Sequence, residues 1–548
     1  MDGGFGNEFL ANLVNSDAFH EAMIKKYGTT WFDKADTIST ATGLLWYDLQ
    51  PLIEMMYPYR ELIPRIWQLP RVPGDGGSAT HWKRIVAINV NNVSFGVSEG
   101  NRGARIAIAE QDMTATYKTL GLESSETFEA RLGGKNLTPE TLGIAIQANL
   151  RSVMIQEEQT LINGDASTPL GITPNPSLTA GAVSGLTGTF SSGTVYVVCV
   201  ALNGAGIRSY TPYNSATNVG GVQGQVTKIN ADQSTDTYGG GSAQPSGEVS
   251  VGTSGTQCVT AQVAAVAGAQ GYAWFVGSAA GAERLALLTP SNQAIFTQYP
   301  ASTAQPIGNL KVGANYQDNS LNLLLPDGIL SQIWGAVLGP APGTTMATNP
   351  SLPAVQTAGD TIALSIGGSI IYTKGAGNTG LTISGANIAE LDIILQAGYD
   401  QYKIGFNRIL GSSQDIGNVF GALLGQASAA TPFRILFDAD QETGRIIAGR
   451  RVTSYMNKWL GNTLDVEVHP YMPPGSLLLW SDRVPYELPG AANILEAKTR
   501  QDYYQIQWPW RSRRYEFGCY VDEVFICRFT PAFALITNIN PTSGTLHS

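Results

Sequence analysis

Across residues 84–97, "RIVAINVNNVSFGV", apolar Val86, Ile88 and Val90 alternate with Ala87, Asn89 and Asn91. That two-residue period predicts a strand. "ARIAIAEQ" and "ATYKTLGLE" supply a return, with "SEGNRG" (98–103) as the turn. A two-stranded ribbon is marginal alone in water. No adjacent stretch looks like a surface for it, so the pattern points to a contact with another chain.

The period then lengthens. In "LTPETLGIAIQANLRSVMIQEEQTLINGD", Leu142, Ile146, Leu150, Val153 and Leu161 form a helical stripe interrupted by Glu157. Thr138 is the expected N-cap, Pro139 the first helical residue, and Asn163-Gly164 a left-handed stop. A helix over 138–163 would run roughly 39 Å, long enough to brace a flat plate. Upstream, "LLWYDLQPLIEMMYPYRELIPRIWQLPRVPG" sets Pro51, Pro58, Pro64, Pro70 and Pro73 among large apolar side chains. Proline at that density rules out one long helix, and the apolar content suits an arm lying along a surface, including a neighbouring subunit's.

Between 173 and about 310 the character changes. The charged residues there are Arg208, Lys228, Asp232, Asp236, Glu248, Glu283 and Arg284. Short β-rich runs such as "TVYVVCVAL", "GIRSYTP" and "GYAWFVGSA" alternate with Gly, Ser, Asn and Pro, the pattern of a small antiparallel sandwich with Trp274 in its core. Pro/Gly-marked ends suggest a domain inserted at an exposed loop tip. A carbohydrate-binding face is a minor alternative to simple packing. Beyond 310, "LNLLLPDGILSQIWGAV" and "ISGANIAELDIILQAGYDQYKIG" read as helices. "NRILGSSQDIGNVFGALLG" reads as strand, capped turn and helix, and "RRYEFGCYVDEVFICRFTPAFALIT" as a last pair of strands.

Composition narrows the function classes. The 548 residues carry 33 Lys and Arg against 43 Asp and Glu, a net charge of −10. An acidic balance argues against nucleic-acid binding as the main task, since phosphate neutralisation needs clustered cations. No apolar run approaches membrane-spanning length and "MDGGFGNEF" lacks a basic leader, so the sequence reads as made and used in cytoplasm. Cys199, Cys258, Cys519 and Cys527 have no CxxC spacing. Cys199 and Cys258 could be bridged across a sandwich, but buried thiols are the favoured reading.

Chemical motifs are sparse. "FDADQETG" offers Asp438, Asp440 and Glu442 at calcium-loop spacing, yet Thr443 stands where glycine is required and Gly449 where a bidentate Glu belongs. An acidic turn fits better than a weak cation site. Phosphate-loop, HExxH and GxSxG motifs are lacking, and the four histidines are scattered. No cofactor and no enzymatic activity are expected. "HWKRI" (81–85) and "WRSRR" (510–514) join Trp to cations, either as solvated turns or as subunit contacts, where Trp and Arg are favoured anchors.

The order of segments, with the Pro- and aromatic-rich arm, the ribbon opening on "HWKRI" and the helix closing on "LINGDASTPLGI", resembles the major capsid proteins of tailed bacteriophages, the Hong Kong-type capsid fold. "IAELDIILQAGY", "NRILGSSQDIGNVFGALLG" and "FGCYVDEVFICRFTPAFALITNI" resemble its later elements. The resemblance covers about 1–172 and 313–540; the intervening segment resembles an immunoglobulin or fibronectin-type decoration domain. It implies an α+β fold with an N-terminal arm (1–80), an extended β-loop (81–135), a spine helix opening the peripheral domain (136–172), and an inserted sandwich (173–312). The peripheral domain would continue over 313–404, the axial domain would span 405–494, and return strands and tail 495–548. By the same resemblance the chain would self-assemble into hexamers and pentamers of a virion shell around double-stranded DNA, contacted non-specifically, in the host cytoplasm. Partners would be a separate scaffolding protein, a portal and decoration proteins, with no membrane. Candidate interface residues are Trp46, Tyr57, Tyr59, Trp67, Trp82, Lys83, Arg84, Arg102, Arg105, Lys118, Arg511, Arg513 and Arg514. Some relatives join subunits by a Lys–Asn bond helped by a Glu; Lys118 lies in the right ribbon, but no motif fixes partners for it. A bacterial nanocompartment shell and a surface adhesin are the alternatives.

Overall fold

The computed structural model describes residues 59–74, 76–88, 93–133, 141–336, 360–363, 369–375, 380–384, 387–418, 454–482, 493–510 and 512–540. The expected caps Thr138 and Pro139 lie outside them.

A seven-stranded mixed sheet runs in the order 361–363, 370–373, 533–537, 477–480, 408–411, 463–468, 454–456. Its central strands are apolar at nearly every position because both faces are covered. Phe533, Leu535, Leu478 and Trp480 join one core with Met154, Leu161 and Ile162 of the long helix. Their alternates Ala534, Ile536, Leu477 and Leu479 join another with Leu391, Ile394 and Leu395 of helix Ala389–Tyr402. One sheet thus unites strands from both sides of the expected divisions at 404/405 and 494/495.

The second sheet is four-stranded: Arg71–Pro73, Leu495–Gln507, Arg514–Cys527 and Lys118–Thr127. Helix Thr141–Asn163 packs on it through Val153 against Leu120, Cys519 and Val521. "ATYKTLGLE" therefore does not extend the ribbon. Lys118–Thr127 turns back onto its own body, pairing along ten residues with Arg514–Glu523, because Leu120 and Leu122 find apolar cover there. Two local expectations also shift. Among the described residues of "LNLLLPDGILSQIWGAV" only Ile329–Ala336 is helical, since Asn322 bonds the Leu324 N–H locally and Pro326 interrupts. "GIRSYTP", read as a β-rich run, opens inside the short helix Gly204–Arg208, capped by the Asn203 side chain on Gly206 N, and reaches strand only at Thr211.

The segment after Thr173 is built on two main antiparallel sheets, with two smaller strand pairs beside them, 211–214 with 219–221 and 225–229 with 235–239. Strands 249–253, 193–202, 271–277 and 284–289 make one; 293–296, 258–262 and 177–181 make the other. Val195, Val197, Cys199, Trp274, Val259 and Phe296 fill the space between them. Fully buried Trp274 donates from Nε1 to Thr289 Oγ1 at 2.8 Å, satisfying its one polar atom. The four cysteines are buried free thiols.

How this segment joins the body explains "LINGDASTPLGI". The helix stops at Asn163 as expected, but Gly164 is not left-handed. Glycine is required there by proximity: a Cβ would sit 2.3 Å from Pro326 O, and one on Gly328 would sit 2.4 Å from Thr160 O. The two backbones cross glycine on glycine, with Gly328 N donating to Gly164 O at 2.8 Å. Entry and exit then run side by side: Gly171 N donates to Asp318 Oδ2 at 2.7 Å and Leu170 N to Ser320 Oγ at 3.0 Å. The segment does not merely project from a loop tip, however. Asn292 and Asn538 bond each other reciprocally, N to Oδ1 at 2.6 Å and Nδ2 to Oδ1 at 2.9 Å, in a buried seat against the central sheet. Ser476 Oγ donates to Gln270 Oε1, 2.5 Å away, beside it.

Asp165 is the polar hub of this joint. Its carboxylate accepts from Thr168 N at 3.0 Å, Ser331 Oγ at 3.1 Å and Asn203 Nδ2 at 3.2 Å. Burial, reinforced by the charge on Asp327, raises its pKa from 3.8 to about 7. A raised folded-state value means the folded chain holds the proton more tightly. Stability therefore falls as pH climbs from about 4 towards 7, at about 1.4 kcal/mol per unit, and the loss is complete above 7. Urea unfolding of Asp165→Asn beside the natural chain should show the variant gaining about 3 kcal/mol relative to it between pH 4.5 and 8. A pH-independent difference would refute the assignment.

Candidate assembly surface

Strands Ala79–Ile88 and Ile108–Thr116 pair antiparallel, from Ala79 opposite Thr116 to Ile88 opposite Ile108, with an irregularity between Ile85 and Ala87. They form a sheet of two, as the alternation predicts. Its far end is apolar and open to solvent: Phe95 is 98 % exposed, Ile85 61 %, Ile106 56 % and Ile108 52 %. Leaving such side chains in water gives up about 1.5–3 kcal/mol each relative to burial. Lys83 reaches Asp112 at 3.5 Å and Glu110 at 3.9 Å across the ribbon, an exposed pairing that contributes little. At the root, Trp82, Met113, Lys118, Phe525 and Cys527 line a cavity of about 210 Å³.

The segment before the ribbon, 60–73, is held by two consecutive glutamates of the long helix. Glu158 Oε2 accepts from Ile66 N at 2.6 Å, and Oε1 from Arg65 N at 3.1 Å. His469 Nε2 lies 2.8 Å from the same Oε1, and since Nδ1 accepts from Tyr471 N, Nε2 carries the hydrogen. Arg65 also pairs with Glu467 and lies over the Trp480 ring. Glu157 takes the next cation: Arg71 Nη1 is 2.5 Å from its Oε1, while Nη2 reaches Glu523 at 3.2 Å and Nε reaches Asp502 at 2.9 Å. Tyr503 donates to Glu157 and lies under the Arg71 guanidinium. Three carboxyls share one cation here. Burial, then the neighbouring Glu157, pushes Glu523 well above the ordinary carboxyl range.

Of the candidate interface residues, the ribbon gathers Trp82, Lys83, Arg84, Arg102 and Arg105; Arg102 and Arg105 are exposed at its tip. Trp67 is 62 % exposed. Tyr59 is instead turned onto the long helix, its hydroxyl 3.2 Å from Met154 Sδ. Lys118 opens the strand that pairs with the body, opposite Glu523, so it belongs to the cavity wall and not to the paired ribbon. Arg513 pairs with Glu129 at 2.8 Å over the Phe128 ring, and Arg514 is exposed opposite Thr127, both at the end of the four-stranded sheet. Trp46, Tyr57, Arg511, Asp438, Asp440 and Glu442 lie outside the described residues. Sequence reasoning missed the Glu157–Glu158 clasp and the apolar tip. Phe95 in "NNVSFGVSEG" was the available signal, an aromatic stranded among turn-forming residues.

Among the described residues, no group of three or more His, Cys, Asp or Glu is placed to hold a metal ion, and no helix is long and apolar enough to cross a membrane. No family model and no curated protein matches the chain. Solved structures similar to it include the capsid of a native GTA particle, at 9 % identity over 94 % of this chain and 98 % of that one, with a TM-score of 0.37. The cyanophage A-1(L) capsid gives 11 %, 91 %, 99 % and 0.38, and the capsid of Myoviridae phage XM1 gives 7 %, 87 %, 92 % and 0.34. The chain's own geometry carries the functional reading.

The clasp should dominate the stability of the isolated chain. Arg71→Ala leaves two buried carboxyls without their cation and is expected to cost about 3–5 kcal/mol in urea unfolding. Arg513→Ala, removing an exposed pair, should stay within about 0.5 kcal/mol. Equal effects would mean that Arg71 is not the keystone of the joint.

Proposed function

We propose that the chain is a structural shell subunit: a major capsid protein of a tailed phage that assembles with copies of itself into a closed icosahedral or prolate shell around double-stranded DNA. The observation that carries this reading is the ribbon, a firmly rooted pair of strands whose outer end displays Phe95, Val97, Ile106 and Ile108 to solvent. A monomer gains nothing from that arrangement, whereas a neighbouring copy covering the tip gains its burial. The order of segments described above, with its capsid-protein resemblance, gives the neighbour its identity. Subunits in hexamers and pentamers would overlap through ribbon and arm, and the overlaps would resist the outward pressure of packed DNA. The net charge of −10 is compatible with a container that touches its contents non-specifically. The inserted sandwich would be an immunoglobulin-like domain on the outer surface. A separate scaffolding protein, a portal and decoration proteins would complete the particle, assembled in host cytoplasm. The role is mechanical, with no catalytic step.

Replacing Phe95, Val97 and Ile106 together by Ser tests the reading without touching the chain's own core. Unfolding stability should change by less than about 0.5 kcal/mol. Closed shells, counted by electron microscopy, should vanish in favour of free subunits or capsomers. Shells of normal yield from this variant would sink the proposal.

A further inference from the structure

Lys374 directly follows strand Ile370–Thr373 with its ammonium inside the protein, the side chain 1 % exposed. Nζ lies 3.1 Å from Asp360 Oδ2 and 2.8 Å from Glu390 Oε1, both carboxylates being as buried as the lysine. The register pairs Thr361 with Thr373, so Asp360 and Lys374 come next to each other across the same two strands. Ile362, Ile370, Ile388 and Leu391 belong to the core that surrounds them. Each carboxylate is separately held. Tyr372 OH donates to Asp360 Oδ2 at 2.7 Å and Gly375 N to Oδ1 at 2.6 Å, while Thr382 N lies 2.9 Å from both oxygens of Glu390.

An ion pair costs desolvation that its mutual attraction recovers only in part. Here there is a chemical way out. Passing one proton from Nζ to Asp360 would leave a neutral amine held against a neutral carboxylic acid, with Nζ 3.1 Å from the oxygen that must leave. Glu390 keeps its charge on the Thr382 N–H. Gly375 N–H is aimed at the oxygen that would carry charge in a tetrahedral intermediate.

We propose that Lys374 and Asp360 become joined by an intrachain isopeptide bond, with Glu390 as the proton carrier. Nζ attacks Cγ of Asp360 and forms the C–N bond, and Glu390 takes the proton released from nitrogen. The Cγ–Oδ2 bond then breaks, and that oxygen leaves with its own proton and the one returned by Glu390, as one water. The products are a secondary amide and ionised Glu390; no electron changes hands. Two buried charges disappear, which supplies the driving force, and the first two strands of the seven-stranded sheet become covalently stapled.

Intact mass spectrometry of the purified, unassembled full chain is the test, independent of shell formation. The mass should fall below that of the sequence by one water. A tryptic digest should lack cleavage after Lys374 and contain a branched peptide linking Asp360 to Lys374. Glu390→Gln should restore the full sequence mass. A natural chain at sequence mass that trypsin cuts after Lys374 would overturn the proposal, whether or not the variant folds. A Glu390→Gln chain that still loses water would remove Glu390 from the step.

Discussion

The structure depends on two adjacent carboxylates. Glu157 and Glu158 project from one turn of the long helix in different directions, and between them they hold the incoming chain: Glu158 by the backbone N–H groups of Arg65 and Ile66, Glu157 by the Arg71 guanidinium. Through Arg71 the grip extends to Asp502 and Glu523 of the four-stranded sheet, and through His469 and Arg65 to the seven-stranded one. Helix and both sheets therefore meet at a single ionic joint. A buried charge network is strongly directional, because any partner displaced leaves a charge in low dielectric. It fixes the position of the segment that leads into the ribbon, from Arg65 to Arg71. Apolar packing alone would tolerate sliding there.

The two-sheet segment after Thr173 uses the same logic. A domain resting on the body by apolar contact would need a large patch on each side. Instead the Asn292–Asn538 and Gln270–Ser476 pairs join hydrogen-bonding groups that would otherwise be buried unsatisfied. The glycine-on-glycine crossing of Gly164 and Gly328 lets entry and exit approach closely enough for the bonds from Leu170 and Gly171 to form. The stretch "NGDASTPLGI" is thus an engineered-looking joint only in its consequences. Each residue meets a local demand: Asn163 a carbonyl at Tyr471, Gly164 a carbonyl at Pro326, Asp165 three donors.

Periodic features were legible in sequence and long-range ones were not. The ribbon's alternation and helix Ala389–Tyr402 are set by neighbours within a few residues, and the pattern declares them, whereas the core around Trp274 was legible only as short β-rich runs that Val195, Val259 and Phe296 complete from a distance. Glu157 registered only as a break in a stripe, because its partners lie at 71, 503 and 523. The pairing of Lys118–Thr127 with Arg514–Glu523 was hidden for the same reason, and that stretch was assigned to the wrong partner. "GIRSYTP" was read correctly only at its end, where Thr211 begins a strand; at its start one Asn203 side chain on Gly206 N is enough to turn the backbone into a helix. Gly164 misled differently. Its position after a helix suggests a left-handed stop, but the absence of a side chain is used for clearance.

The distribution of polar and apolar groups bears on how such a chain could associate. Charges that most proteins keep on the surface, such as Glu157, Glu158, Lys374 and Glu390, are inside, and apolar side chains such as Phe95 and Ile106 are outside. Among the described residues these buried charges are paired within the chain, and the ribbon tip adds nothing to that pairing. A subunit built this way can fold before it meets a neighbour, so association need not repay the entropy of folding the body. It must overcome only the ordering of the tip and the loss of free motion. Burial of a few apolar side chains, at about 1.5–3 kcal/mol each, leaves a single contact weak and reversible. Repeated around every subunit of a closed array, the same contact becomes strong through multivalency. Weak local contact with strong global closure lets misplaced copies leave before the array is finished.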